Sequence, residues 1–414
     1  MTARRYRAGS LIGLVALASA SLLGQTGDEP PPVRASSLLA ANVRKEPHYT
    51  IQEAVKTEGF FYQFTIESDY GELHAHGLSQ VDTRLNEVRA LAALEDVSKS
   101  EVFLESAGGS VLHVGERAAK IVTDPVDTAK GIGGGIKRLG LNIGRISKRA
   151  VDSAGNPSES AAPKENTGES TANAVLGVSG AMRRWARKVG ADPYTTNQVL
   201  FDALKEIGRI DAAGSIATKV ILPIPAVVTT SAHVGDLVWS KDPEELRKLN
   251  EGRLKALGVT PADAQRFFQN RGYTLTSETR LIAALDAVKP NGAAAYVNAA
   301  AGASGERAAL FFVESAEMLQ QAHGAAAVTA ILDDTDALVA RQGRRAVMFL
   351  PLDYVSVTTL TREVIAEVKD RVAKELGVGQ VEVRLTGRAS RRMRQEIAAA
   401  GWTLKEQQPR QSRQ

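Results

Sequence analysis

Residues 59–78 read GFFYQFTIESDYGELHAHGL, and whether this stretch is strand or helix decides what the first half of the chain can build. Apolar residues recur at alternate positions, placing Phe60, Tyr62, Phe64 and Ile66 on one face; that period of two belongs to a strand. Ser68-Asp69-Tyr70-Gly71 supplies turn residues, and the chain returns through Glu72–Leu78. The reading is a β-hairpin whose aromatic face needs cover. Two capping patterns follow, Ser79 with Asp82 and Ser98 with Glu101, each announcing a helix. Val81, Leu85, Val88 and Ala92 form an apolar stripe on the first helix, suited to lie on that face.

Outward from the hairpin, residues 25–36, 152–172 and 407–414 are polar, rich in Pro, Ser or Gln, and without apolar periodicity, as linkers are. They divide the chain into a flexible N-terminal segment (21–47), a hairpin-plus-helix domain (48–151), a linker (152–172), a helical region (173–323), a small α/β domain (324–406) and a disordered tail (407–414). In the helical region, Asp242-Pro243-Glu244-Glu245 and Thr260-Pro261 read as helix starts. A further helix starts near Ser277 and ends before Pro290, alanine-rich helices fill 292–323, and VILPIPAVV (220–228) reads as a buried connection. From 326, the runs AVTAIL, AVMFL, VEVRLT and WTLKE alternate with the helical TREVIAEVKDRVAKEL and RRMRQEIAAAG, an order that allows a parallel sheet. The expected class is α+β, predominantly helical: an N-terminal β-hairpin plus helices, a central helical region and a small C-terminal α/β sheet.

The first twenty residues carry Arg4, Arg5 and Arg7, then an apolar run from Leu11 to Leu17, then Ala18 and Ala20. This is the pattern of a secretory signal peptide, too short to span a bilayer. The expectation is export to the periplasm or beyond, in released form. The chain contains no cysteine, which excludes disulfides and cysteine-based metal or redox chemistry. The formal charge of +4 falls close to neutral once the three leader arginines are removed, so no nucleic-acid partner is expected and local basic segments carry more meaning than the total. YGELHAHG, ALGVTPADAQRFFQNRGYTLTSETRLIAAL and FLPLDYV together resemble a family of exported bacterial proteins with no assigned activity; the resemblance implies export and supplies no site residues.

Residues 124–149, DPVDTAKGIGGGIKRLGLNIGRISKR, hold six glycines and six basic residues. Asp124 and Pro125 mark a helix start, yet each interior glycine costs about 1 kcal/mol relative to alanine, so this helix depends on something outside itself. On a helical wheel Ile132, Ile136, Leu139, Ile143 and Ile146 share a narrow arc, opposite Lys130, Lys137, Arg138, Arg145 and Lys148. Two occupants fit: an anionic membrane surface or envelope protein, contacted through Ile132, Ile136, Leu139, Ile143, Lys137 and Arg138; or the hairpin domain itself, with the basic residues simply hydrated. The segment matches no phosphate-loop pattern.

Two weaker constellations remain. Glu72, His74 and His76 share a strand face and would chelate a metal only with a third ligand such as Asp69 or His113; H-x-H on a strand edge is more commonly just a polar solvent face. At the carboxyl ends of the C-terminal strands stand Asp333, Asp334, Asp336, Asp353, Gly387 and Arg388, with Arg391 and Arg392 nearby. Ligands of open α/β sheets gather there, which gives the alternative function, a divalent-metal-dependent phosphoryl hydrolase. The duller account makes these residues caps, turns and solvated charges. No serine nucleophile motif is present, and the sequence implies no cofactor. The leading expectation is a non-enzymatic binding or envelope-associated protein; the small-molecule ligand, if there is one, is not encoded in any motif.

Overall fold

A computed structural model describes residues 28, 30–100, 167–212, 232–333, 335 and 337–409. The predominantly helical α+β class holds. The hairpin forms as read, between β5 (Phe61–Ser68) and β6 (Gly71–His76), closed by the two-residue turn Asp69-Tyr70. It belongs to a larger sheet than the alternation predicts. β1 (Val33–Arg34), β2 (Lys45–Glu46), β3 (Tyr49–Ile51) and β4 (Ala54–Glu58) join it, in the order β1-β4-β5-β3-β2 with β6 on the free side of β5, and every pairing is antiparallel. Residues 33–47, expected to be flexible, are therefore folded. Besides β1 and β2 they contain the short helices α1 (Ala35–Leu38) and α2 (Ala41–Arg44), and Ala35 is fully buried. Strands of two residues have no period to read; pairing with a neighbour alone orders them.

The apolar stripe of α3 (Leu78–Ser98) covers the sheet: Val81, Leu85, Val88 and Ala92 pack in one core with Tyr62, Phe64 and Ile66. Two further helices, α4 (Thr167–Lys188) and α5 (Gln198–Ala212), bring Trp185, Leu200, Leu204 and Ile207 into that same core. α4 starts inside the stretch read as linker, and the hairpin domain does not stand apart from the helices beyond it. Phe60 departs from its expected face. The tight turn at Gly59 (φ +61°) sends it, with Phe61, into a different core belonging to the C-terminal sheet.

The central helices start where their caps predict. Asp242 accepts from the backbone N–H groups of Glu244 and Glu245, both at 2.9 Å, ahead of α7 (Pro243–Ala256), which follows α6 (Ala232–Ser240). Thr260 caps α8 (Pro261–Gln269). A Thr274–Ser277 capping box opens α9 (Leu275–Val288), placing the start slightly ahead of the predicted Ser277. Asp242→Ala removes the acceptor for two orphan donors and is expected to cost about 1 kcal/mol, read as a shift in the urea midpoint. α10 (Ala293–Ala300) and α11 (Glu306–Ala325) complete the region.

The C-terminal sheet has the order β13-β11-β9-β8-β7. β9 (Arg345–Leu350), β11 (Gln380–Leu385) and β13 (Thr403–Lys405) run parallel, whereas β7 (Val328–Ile331), β8 (Leu338–Gln342) and β9 are antiparallel. The parallel arrangement thus holds for one half of the sheet. β8 is absent from the sequence reading; it is joined to β9 by the two-residue turn Gly343-Arg344, with Gly343 at φ +61°. α11 packs on one face against Leu338, Ala340, Val347 and Phe349. The opposite face takes α12 (Thr359–Arg371, continued by the π-turn Val372–Leu376) and α13 (Arg391–Ala399). β10 (Tyr354–Val355) and β12 (Arg388–Ala389) form a short parallel ladder beside it. The first tail residues are tied in as well, since the backbone N–H groups of Gln407 and Gln408 bond the carbonyls of Gly387 and Leu385. Among the described residues no helix is long and apolar enough to cross a membrane.

Candidate functional site

Ile132, Ile136, Leu139, Ile143, Lys137 and Arg138, together with the leader, His113, Asp334, Asp336, the apolar run 220–228 and the helix expected after Ser98, lie outside the described residues. The other candidates can be placed.

Glu72, His74 and His76 do share a strand face, opposite Glu67, Thr65 and Gln63 of β5. The partners proposed for them are engaged elsewhere or are simply neighbours: Asp69 pairs with His48 Nδ1 at 2.9 Å, and Glu72 sits 3.3 Å from His74 Nε2. His76 is half-buried; burial, with Arg307 nearby, pushes its pKa below the usual imidazole value. Among the described residues no three His, Asp or Glu side chains are placed to share a metal ion.

Asp353 is 1% exposed and faces inward. Its carboxylate accepts from the backbone N–H of Tyr62 (3.0 Å) and of Leu78 (3.1 Å), while its own N–H donates to the Phe60 carbonyl at 3.0 Å. It is therefore the cap of α3, supplied from the far end of the chain, which explains why the predicted Ser79–Asp82 cap is not used: Gly77 makes no side-chain cap bond. Gly77 has φ +102°, and a Cβ there would lie 3.2 Å from the Phe61 ring and 3.4 Å from the Asp353 carboxylate. Gly387 is constrained more tightly, because a Cβ would fall 1.9 Å from the Asp353 carbonyl oxygen. Of the other strand-end groups, Asp333 lies beside Gly292 at the start of α10 and receives Arg371 on its carbonyl at 2.6 Å. Arg388 and Arg391 are exposed, and Arg392 approaches Asp28 at 3.8 Å. The fold thus directs Asp353 to the junction with the N-terminal sheet, away from a solvent-facing carboxylate set.

Among the described residues, a concentrated polar cluster is built from side chains to which the sequence assigns no site role. The segment Ala191–Asn197 after α4 threads between α3, α9 and α11. Glu87 on α3 accepts from Thr195 Oγ1 (2.6 Å), Asn197 Nδ2 (3.1 Å) and Arg84 (3.0 Å), and Arg84 reaches Glu306 at 3.5 Å. Asp192 accepts from Thr276 Oγ1 at 2.6 Å and the Tyr194 N–H at 2.8 Å; burial pushes its carboxyl pKa up. Arg280 holds Glu317 through two 2.8 Å bonds. Glu278, 3% exposed, has its pKa pushed up to about 8 by burial, an effect that Arg247 at 3.4 Å offsets only in part. At neutral pH this carboxyl holds its proton. Such clusters mark catalytic sites or structural networks; here the groups join α3, α7, α9 and α11 to one another and to the segment after α4, and the arrangement fixes helix positions. The sequence signal was the unbroken polar run Thr276-Ser277-Glu278-Thr279-Arg280 leading into an apolar helix, where one face of the helix must bury some of those groups.

Compared with protein-family models, with curated proteins and with solved structures, the chain matches none.

Proposed function

We propose that this is an exported, non-enzymatic binding or envelope-associated protein that contacts an anionic membrane surface or a protein partner through the basic glycine-rich segment 124–149. The observation that carries it is the opposition of Ile132, Ile136, Leu139 and Ile143 to Lys137, Arg138 and their basic neighbours. The fold adds support. The rival account packs that apolar arc on the hairpin domain, and one surface there is already taken: Tyr62, Phe64 and Ile66 are packed against α3 and the core it shares with α4 and α5. One carboxylate of the phosphoryl-hydrolase alternative, Asp353, caps a helix, which favours the binding reading.

Co-sedimentation with anionic vesicles tests the membrane version. The wild-type protein is expected to pellet and an Ile136→Asp/Ile143→Asp double variant to stay in the supernatant. Equal behaviour of the two removes the membrane and leaves the protein partner. Export is tested by the N-terminus of the secreted protein, expected to begin just after Ala20.

A further inference from the structure

On the C-terminal sheet α11 packs over β7, β8 and β9, covering Leu338, Ala340, Val347 and Phe349. Strand pairing carries the same face on to β11 and β13: Glu382 lies between Val347 and Thr403, and Arg384 between Phe349 and Lys405. Both crossover helices, α12 and α13, pack on the opposite face with Val381, Val383 and Leu385. Beyond β9 the α11 face is therefore open to solvent, and Thr403 and Lys405 are exposed.

The floor of this open half is one carboxylate ringed by cations. Glu382, itself buried, accepts from Arg384 Nε at 2.6 Å and from Arg345 Nη1 at 3.0 Å, with Lys405 Nζ at 3.1 Å. Burial raises its pKa, but the hydrogen bonds from Arg384 and Lys405 and the charges of Arg384 and Arg345 outweigh burial and hold it below the ordinary value, so Glu382 is ionised at neutral pH. Among the described residues none of the three cations has a second acid as ion-pair partner, which leaves two positive charges uncompensated. Arg384 is fixed in place: its Nη2 donates to Gln342 Oε1 at 3.0 Å, and its guanidinium lies 5.8 Å from the Phe349 ring centroid. Arg345 and Lys405 are partly exposed and reachable from solvent. Joining β9, β11 and β13 through Glu382 accounts for the carboxylate, but three like charges gathered on it repel one another unless more negative charge arrives.

We propose that this open face binds a doubly charged tetrahedral oxyanion, the phosphoryl or sulfuryl end of a ligand, held by Arg345 and Lys405 beside Arg384. A dianion matches the two uncompensated charges, whereas a phosphodiester brings only one. Guanidinium and ammonium donors suit the oxygens of such a group. The site is separate from the segment 124–149 and does not depend on the reading given above for it.

The test is a calorimetric titration of the full chain with inorganic phosphate and, separately, with sulfate, at an ionic strength held constant with sodium chloride. Saturable binding of at least one, tighter than about 10 mM, is expected, and the tighter of the two names the group. Arg345→Gln and Lys405→Gln each remove one charged donor and should weaken binding about tenfold. Lys248→Gln, on α7, should leave it unchanged. Glu382→Gln keeps the shape and removes the competing negative charge, so the folded variant should bind about fivefold tighter or more, an effect that a carboxylate serving only to join strands would not produce. Lys405 is exposed on an edge strand, so its variant tests the site even if Glu382→Gln does not fold. No saturable binding of either anion, an equal loss in Lys248→Gln, undiminished binding by folded Lys405→Gln, or unchanged or weaker binding by folded Glu382→Gln overturns the proposal.

Discussion

Asp353→Ala is expected to lower the stability of the protein by about 3–5 kcal/mol, because it leaves two buried backbone donors without an acceptor and removes a negative group from a helix N-terminus. The donors are the N–H groups of Tyr62 and Leu78, on the N-terminal sheet and at the first turn of α3. The same substitution opens space where Phe60 and Phe61 enter the C-terminal core. Asp353→Asn keeps an acceptor and the volume, so about half that loss should follow. Urea unfolding followed by tryptophan fluorescence measures both. A loss below about 1 kcal/mol for the alanine variant means that the two lobes do not depend on this carboxylate.

Glu278 should make the protein less stable as pH rises. Its carboxyl titrates near 8 in the folded state against an ordinary value of 4.5. Between those values the folded chain holds a proton that the unfolded chain has released, so the folded state is favoured below about pH 4.5 and loses that advantage progressively up to about pH 8. The change amounts to about 4 kcal/mol over the window at about 1.4 kcal/mol per pH unit. Asp192, shifted in the same direction by burial, adds to the slope in both wild type and variant. Glu278→Gln has a similar shape and no proton to lose, so its stability should fall much less from pH 5 to pH 8, and it should be the more stable protein at pH 8. Parallel stability curves for the two would place the proton elsewhere.

The elements legible in the sequence are those whose information is local. Asp242 with Glu245 and Thr260 with Asp263 sit within one helical turn of each other, so composition alone finds α7 and α8. The alternation of Tyr62, Phe64 and Ile66 finds β5 for the same reason. Residues 33–58 were unreadable because β1 and β2 are two residues long and are ordered by pairing with β4 and β3. β8 was missed because LVARQ places an arginine and a glutamine where alternation asks for apolar groups; Gln342 is buried and donates to the carbonyls of Ala322 and Ala326. The roles of the acids were least legible. Asp353 looks like a strand-end carboxylate until its backbone donors, 291 and 275 residues away, are known. Glu278 looks like a first-turn acid until α9 is seen to bury that turn.

Taken together, these residues make the described body a scaffold whose buried acids cap and pair, and the function proposed above assigns external contact to the glycine-rich arc. The chain has no cysteine, so Ile136→Cys introduces a sole thiol at the centre of that arc. In the isolated folded protein this thiol should react with a water-soluble maleimide at a rate comparable to that of Lys248→Cys, a site 72% exposed on α7, and anionic vesicles or the envelope partner should protect it. A thiol at 136 that stays unreactive in the isolated protein until denaturant is added would contradict the account.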